Sequence, residues 1–230
     1  GKALNEQEIR NAIYAGPFVS DAKLHFSKTN CGAYRLGKDL VKGSPIRQDF
    51  LKKALEWMAE HETRNGKPKT AVDYMALHQH DLNAGPLWTY FQNVLHWAKS
   101  TFNMKKFKNI MKGLDWAKLY DMFHEKPLNI KALEAQIADL VGDDEIQKPQ
   151  GIIPYVLIGD EHYLDLRAFP DKIKLAVWEK QKHKCALCGK VFDFVFMEGD
   201  HITPWRDGGR TTKENCQMLC QECNRRKGCK

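Results

Sequence analysis

Residues 185–227 read CALCGKVFDFVFMEGDHITPWRDGGRTTKENCQMLCQECNRRK, and the reading of this stretch decides the fold of the carboxy-terminal part of the chain. It opens with Cys185 and Cys188 and ends with Cys220 and Cys223, two Cys-x-x-Cys pairs separated by 31 residues. A two-residue gap lets one tight knuckle present both sulfurs to a single tetrahedral ion, and two knuckles complete a closed site of the kind Zn²⁺ occupies. One structural zinc on these four thiols is therefore expected, tying together the ends of a long loop. Six of the seven cysteines crowd into the last 46 residues, with Cys31 far away. That placement favours a metal site in a reducing compartment, the cytoplasm, over a secreted disulfide scaffold.

Between the pairs, Val191–Met197 is β-prone and runs into Glu198-Gly199-Asp200-His201. A polar loop rich in turn residues follows, from Pro204 to Thr211, then Asn215 and a short apolar run, Cys216–Leu219. Strand, loop, strand, helix is the natural reading. Asp200 and His201 then stand at the end of one strand, and Asn224 projects from the start of the helix.

These residue types suit phosphodiester hydrolysis. The scissile phosphate is anionic and repels hydroxide, so a hard divalent cation must neutralise it. The Asp200 carboxylate and the Asn224 amide oxygen are hard donors for one catalytic Mg²⁺ or Mn²⁺. A neutral His201 takes a proton from the attacking water, its ordinary pKa lying near neutrality. Asn215 is read as bonding across the loop to hold the histidine strand in register. Lys227, Arg226 and Arg225, expected near the first turn of the helix, are placed to hold flanking phosphates.

The string D-H-I-x-P-W-x-x-G-G-x-T, followed by N-C-Q-x-L-C-x-x-C-N-x-x-K-G, resembles the HNH endonuclease superfamily, whose shared fold is the ββα-metal finger. His201 matches the first H of the motif and Asn215 the middle N, while Asn224 stands where many members carry the final histidine, giving an H-N-N variant. The resemblance covers residues 165–230. It implies His201 as general base, Asp200 and Asn224 as ligands of the catalytic metal, Asn215 as architectural, and products with 5′-phosphate and 3′-hydroxyl ends. Double-stranded DNA is the implied substrate, and restriction or phage defence the implied setting.

Working outward from that end, Phe169-Pro170 starts a helix through Trp178, and Ile152–Ile158 reads as a short strand. Asp143–Gly151 is acidic, then polar, and looks like a connection, so a helical domain is placed at 1–150 and the nuclease domain at 151–230. The fold class is thus mainly α at the amino-terminal side, plus a small α+β finger with structural zinc.

Asn5 caps a first helix with Glu8 reaching back and with Ile9, Ala12 and Ile13 on one face. Ser44-Pro45 opens the clearest helix, with Ile46, Phe50, Leu51, Ala54, Leu55 and Met58 at the 3.6-residue period. The turn Asn65-Gly66-Lys67-Pro68 closes it, and further helices follow over Ala71–His80, Leu87–Lys99, Lys106–Phe123 and Asn129–Val141. Leu4–Ala12 resembles a helix of GmrSD-type modification-dependent restriction proteins, where it follows a nucleotide-using lobe. With Gly1 in place of an initiator Met, the chain reads as a fragment whose missing lobe, or a partner in its place, would supply that function.

A net charge of +7 permits a polyanionic partner without demanding one. No apolar run approaches the roughly 20 residues of a membrane span, so no membrane partner is expected. Lys105, Lys106, Lys108, Lys112 and Lys118 alternate with Phe102, Phe107 and Trp116, a pattern that fits an amphipathic helix with snorkelling lysines better than a DNA-facing surface. Cys216 reads as a small core residue, Cys229 as a free thiol, and His78 with His80 as a solvated helix end. Two other classes share some of these features. A zinc ribbon that binds DNA without cutting needs the thiols and the basic residues, but neither the Asp-His pair nor an Asn directly after the last Cys. A nuclease toxin, or a protein-interaction scaffold with the helical region as partner surface, expects a tight inhibitor, and the toxin uses the same chemistry.

Overall fold

A computed structural model describes residues 3–63, 66 and 70–228. The chain forms two compact units. The first holds residues up to Val141 together with Pro149–Tyr163, and the second holds Gly142–Lys148 together with the chain from Leu164 onward.

The first unit is all helical among its described residues: α1 (Glu6–Ile13), α2 (Pro17–Phe26), α3 (Gly32–Gly37), α4 (Asp49–Thr63), α5 (Ala71–His78), α6 (Gly85–Thr101), α7 (Met104–Met111), α8 (Trp116–Phe123), α9 (Ile130–Val141) and α10 (Ile152–Ile158). α4 packs against α5, α6 and α8. Phe50, Leu51 and Leu55 bury fully, as do Phe26, Phe91, Leu95 and Trp116, and the Trp116 indole donates to the Met111 carbonyl at 3.1 Å. Removing each such side chain from water contributes roughly 1.5–3 kcal/mol of transfer free energy. No helix is long and apolar enough to cross a membrane among the described residues.

Several expectations fail here for identifiable reasons. The capping box on α1 forms, with the Glu8 amide donating to Asn5 Oδ1 at 2.9 Å and the Asn5 amide to Glu8 Oε2 at 2.8 Å. Yet the helix buries its polar face. Gln7 and Asn11 are buried, bonded to each other at 2.9 Å, while Ile9, Ala12 and Ile13 face outward. Ser44-Pro45 does not open a helix. Gln48 has φ 64°, Asp49 Oδ2 accepts the Ser44 amide at 2.8 Å, and α4 starts only at Asp49, which leaves Ile46 exposed.

The single helix expected over Lys106–Phe123 is two. Gly113 breaks it with φ 86°, its amide donates to the Leu40 carbonyl at 2.7 Å, and Asp115 caps α8. Ile152–Ile158 is a helix, not a strand. A short apolar run carries no decisive period. Pro154 falls in the first turn, where no N–H is required, and left-handed Gly159 ends α10 by donating to the Tyr155 carbonyl at 2.7 Å. α2 and α3 had no place in the sequence reading. Apart from Gly66, the turn at 65–68 lies outside the described residues. His78 is half-buried rather than solvated, with Nδ1 2.6 Å from Asp81 Oδ2 and its ring against Tyr74.

The second unit contains α11 (Asp171–Lys180), β1 (Met197–His201), β2 (Cys216–Cys220) and α12 (Gln221–Gly228). β1 and β2 pair antiparallel with Met197 opposite Cys220 and His201 opposite Cys216. The strand begins at Met197 and not at Val191, because Phe194–Phe196 forms one turn of 3₁₀ helix. α11 and α12 both pack on β2, around Phe169, Val177, Met197, Met218 and Leu219. Cys216 is buried beside them, as its neighbours imply, and Cys229 lies outside the described residues. The acidic segment read as a connection pairs instead with the chain just before α11: Arg167 N donates to Glu145 O at 2.8 Å and Lys148 N to Leu164 O at 3.0 Å.

Candidate active site and metal centre

The two knuckles close on one another. Gly189, at φ 70°, lets the first turn fold back so that its amide donates to Cys185 O at 2.9 Å. The second knuckle is the junction of β2 and α12, which puts Cys220 and Cys223 one helical turn apart. The sulfurs of Cys185, Cys188, Cys220 and Cys223 lie within 4.8 Å of one another. Among the described residues this is the one group of three or more His, Cys, Asp or Glu donors compact enough for a metal ion, and three of its four members are buried.

Burial pushes the Cys185 thiol up, but the amides of Cys188, Cys220 and Leu187 outweigh it and bring the pKa down to about 6. Burial and hydrogen bonds from the neighbouring thiols push Cys223 up to about 12. Four crowded thiols can shed one proton readily and the rest only against mutual repulsion, which is the electrostatic condition a bound dication relieves. Burial and the Asp200 charge likewise push Cys216 up to about 11, keeping it a neutral core thiol.

The Asp-His end of β1 lies under α12. Because side chains alternate along a strand, Glu198 and Asp200 share one face. α12 crosses that face with Asn224 and Lys227, three residues apart and so on one side of the helix. Asn224 Nδ2 donates to Glu198 Oε2 at 2.6 Å, and Lys227 Nζ donates to Asp200 Oδ2 and to the His201 carbonyl, each at 2.5 Å. Gln217, opposite Asp200 in the ladder, donates to the same Oδ2 at 2.8 Å. Glu198 accepts only, so Asn224 must present its NH₂ there and keeps its Oδ1 for another partner. Arg225 and Arg226 are exposed, and Arg226 also lies 3.6 Å from Cys223 Sγ. All three cations sit in the last turn of α12, not the first; there they complement the negative end of the helix dipole.

His201 lies at the strand end beside Phe169, ring centroids 4.4 Å apart. Its Nε2 is 3.1 Å from Thr211 Oγ1. Thr211 in turn bonds Glu145, through a short contact from its hydroxyl and one of 3.3 Å from its amide, and its hydroxyl also lies 3.1 Å from the Arg167 carbonyl. Asn215 ties the intervening loop. Its Oδ1 accepts the Thr203 amide at 2.8 Å, and its Nδ2 donates to the carbonyls of Thr203 and Arg210 at 3.1 and 3.0 Å. Gly209 is enclosed by the same residues, since a Cβ there would stand 1.9 Å from Thr203 O. Arg210 grips Asp143 with Nη1 2.8 Å from Oδ2. Burial works against ionisation of Asp143, but that guanidinium and the Glu145 amide prevail and hold it below the usual carboxylate range.

The structure thus brings Lys227 onto Asp200 and the His201 carbonyl and Asn224 onto Glu198, while the His201 ring faces Phe169 and Thr211 and Asn215 ties the loop that follows. Sequence reasoning missed four residues of this group. Glu198 was findable, being two positions before Asp200 on a strand, and Gln217 follows once the register is known. Thr211 stood inside the Asp-His motif without a role. Glu145 carries no sequence signal, because only the fold brings 142–148 back to the finger.

Residues 185–230 match the model of the HNH endonuclease family. Over 51 residues the chain is 41% identical to the CRISPR-associated endonuclease Cas9 of Corynebacterium diphtheriae, a stretch amounting to 22% of this chain. The chain therefore spans about 5% of the length of that curated relative. No solved structure matches the chain. The carboxy-terminal unit carries an HNH endonuclease domain with a four-cysteine cluster able to hold a metal ion.

Proposed function

We propose that the protein is a metal-dependent endonuclease that hydrolyses phosphodiester bonds of double-stranded DNA, in restriction or phage defence. The observation that carries the reading is α12 laid across β1, so that an amide from the helix meets Glu198 and an ammonium meets Asp200, the neighbour of His201. The setting rests on analogy, including the printed name of the Cas9 relative.

Zn²⁺ is the ion that suits the cysteines, since four thiolates at this spacing are its preferred closed set. Asp200 and the Asn224 carbonyl oxygen are the donors for Mg²⁺ or Mn²⁺, and the hard oxygen chemistry of that pair fits such an ion. When bound, the cation would offset the phosphate charge and the charge building on the leaving oxygen.

The chain's own residues divide the remaining work. Thr211 has one hydroxyl proton, and both the Glu145 carboxylate and the Arg167 carbonyl can only accept it. Its oxygen is then left to accept from His201, which fixes the imidazole as the Nε2–H tautomer and makes Nδ1 the basic nitrogen. Phe169 packs against the ring and limits its rotation. His201 Nδ1 takes the proton as the water oxygen bonds to phosphorus. The bond from phosphorus to O3′ breaks, leaving a 5′-phosphate and a 3′ oxyanion that is protonated from solvent. Asn215 keeps the loop, and with it Thr211, in register, while Arg225 and Arg226 remain exposed for neighbouring phosphates.

The test is incubation of supercoiled plasmid with the purified protein and Mg²⁺ or Mn²⁺, beside His201→Ala. Nicking by the parent and its loss in the variant are expected. Equal nicking by both would remove the mechanism, and DNA binding without cleavage in either metal would leave a binding module in its place.

A further inference from the structure

The helical unit carries a cationic surface that the finger's chemistry does not use. Between Lys99 and Leu114 there are five lysines and no Asp or Glu. Lys105, Lys108 and Lys112 recur at intervals of three and four, which aligns them on one side of α7, and all three are exposed. The fold adds cations from a distant stretch. The Gly113 amide is bonded to Leu40 O, Lys108 Nζ lies 3.0 Å from Asp39 Oδ1, and the Lys42 stem lies over Gly113, where a Cβ would meet its Cε at 2.4 Å.

Asp39 thereby lies among Lys38, Lys99 and Lys108, on the surface to which Lys42, Lys105 and Lys112 also belong. Both signs register the crowding. The hydrogen bond from Lys108, with the charges of Lys38 and Lys99, holds Asp39 below its usual range, and burial together with Lys38 pulls Lys99 down despite Asp39. The apolar residues between them, Phe102, Phe107, Ile110, Met111 and Leu114, are buried. The face therefore offers charge without an apolar wedge, which argues against insertion into a lipid surface. Lysines are point charges with no planar fork, suited to phosphate contact without base reading.

We infer that this face of the helical unit, centred on Lys38, Lys42, Lys108 and Lys112, binds the sugar-phosphate backbone of duplex DNA independently of sequence. The choice of DNA rests on the nuclease reading above. Neither α7 nor the Lys38–Lys42 stretch shows the surface alone, since in sequence each is an ordinary amphipathic segment.

The test measures binding, not cleavage. The full-length His201→Ala protein, without added Mg²⁺ or Mn²⁺, is titrated against a duplex of arbitrary sequence by fluorescence anisotropy over a range of KCl concentrations. The same is done with K38Q/K42Q/K108Q/K112Q added, and with a control carrying K23Q/K28Q/K126Q/K131Q, which removes equal charge elsewhere. The slope of log K against log salt should flatten by about 0.9 for each phosphate that is no longer neutralised, on the order of 3 for the first set. The control should flatten far less.

Equal flattening in both sets, with folding intact by circular dichroism, would overturn the site. So would binding of the parent to anionic phospholipid vesicles that the first set abolishes while DNA binding stays unchanged. A parent that never nicks plasmid but shows the difference between sets sinks the nuclease reading and keeps this one. A nicking parent with no difference does the reverse.

Discussion

The two units hold themselves together by different means. The helical unit is built around large apolar side chains such as Phe50, Phe91 and Trp116, each fully removed from water. The finger has a short ladder, a handful of apolar residues and four sulfurs, three of which belong to its core. So few residues leave little to offset the conformational entropy of a 31-residue loop, and the proposed metal ion on the four cysteines would supply the difference. The contrast predicts a finger whose folding depends on an ion and a helical unit whose folding does not.

The contrast can be broken most severely at the cysteines. Cys220→Ala, or a zinc chelator, is expected to unfold the finger at a cost on the order of 10 kcal/mol. The helical signal should keep its own melting transition. Metal content by elemental analysis alongside circular dichroism checks this, and a finger that stays folded without metal would erase the distinction. Next comes His201→Ala, expected to slow nicking by about 10²–10⁴ while moving neither melting transition, as a group spent on chemistry should.

Trp116→Ala sharpens the comparison from the other side. It should cost the helical unit about 3–5 kcal/mol, read as a lower melting temperature, with the finger's metal content unchanged. Glu145→Ala tests the support behind the base, and roughly a 10–100-fold loss in turnover with little change in KM is expected. Glu145→Gln keeps an acceptor for Thr211 and should recover much of it. The ¹⁵N shifts of the His201 ring should show the Nε2–H tautomer in the parent and a mixture in Glu145→Ala.

The smallest effect concerns Arg210. Because the folded state holds Asp143 below its unfolded pKa of about 3.9, the ion pair stabilises above that value and fades as pH falls through the folded one. Arg210→Ala should lower the finger's melting temperature only slightly near neutral pH, since the guanidinium is exposed and its pair is screened by solvent. Melting curves of parent and variant should converge in acid.

Much of the finger was legible because its signals are local. Cys-x-x-Cys needs only a knuckle, Asp200-His201 needs only a strand end, and Asn224 follows Cys223 directly. The helical unit was legible as a class but not in its joints. Gly113 and Gln48 break helices through left-handed conformations whose partners, Leu40 and Asn11, are distant in sequence. α1 misled for a related reason. Its apolar residues have the right period, but Gln7 and Asn11 find partners in each other, in buried Met75 and in half-buried Gln48, so the polar face wins the interior. Glu145 is the extreme case, a contributor to the site from a segment that reads as a linker.

Asn215 has one more implication. Its side chain stands in for a stretch of backbone, taking an N–H from Thr203 and giving hydrogens to two carbonyls. Aspartate has the same outline but offers no hydrogen to either carbonyl and sets a negative oxygen against both. The clasp is keyed to a nitrogen and not to a shape, so slow hydrolysis of this one amide, invisible in volume, would spring the loop that steadies the imidazole.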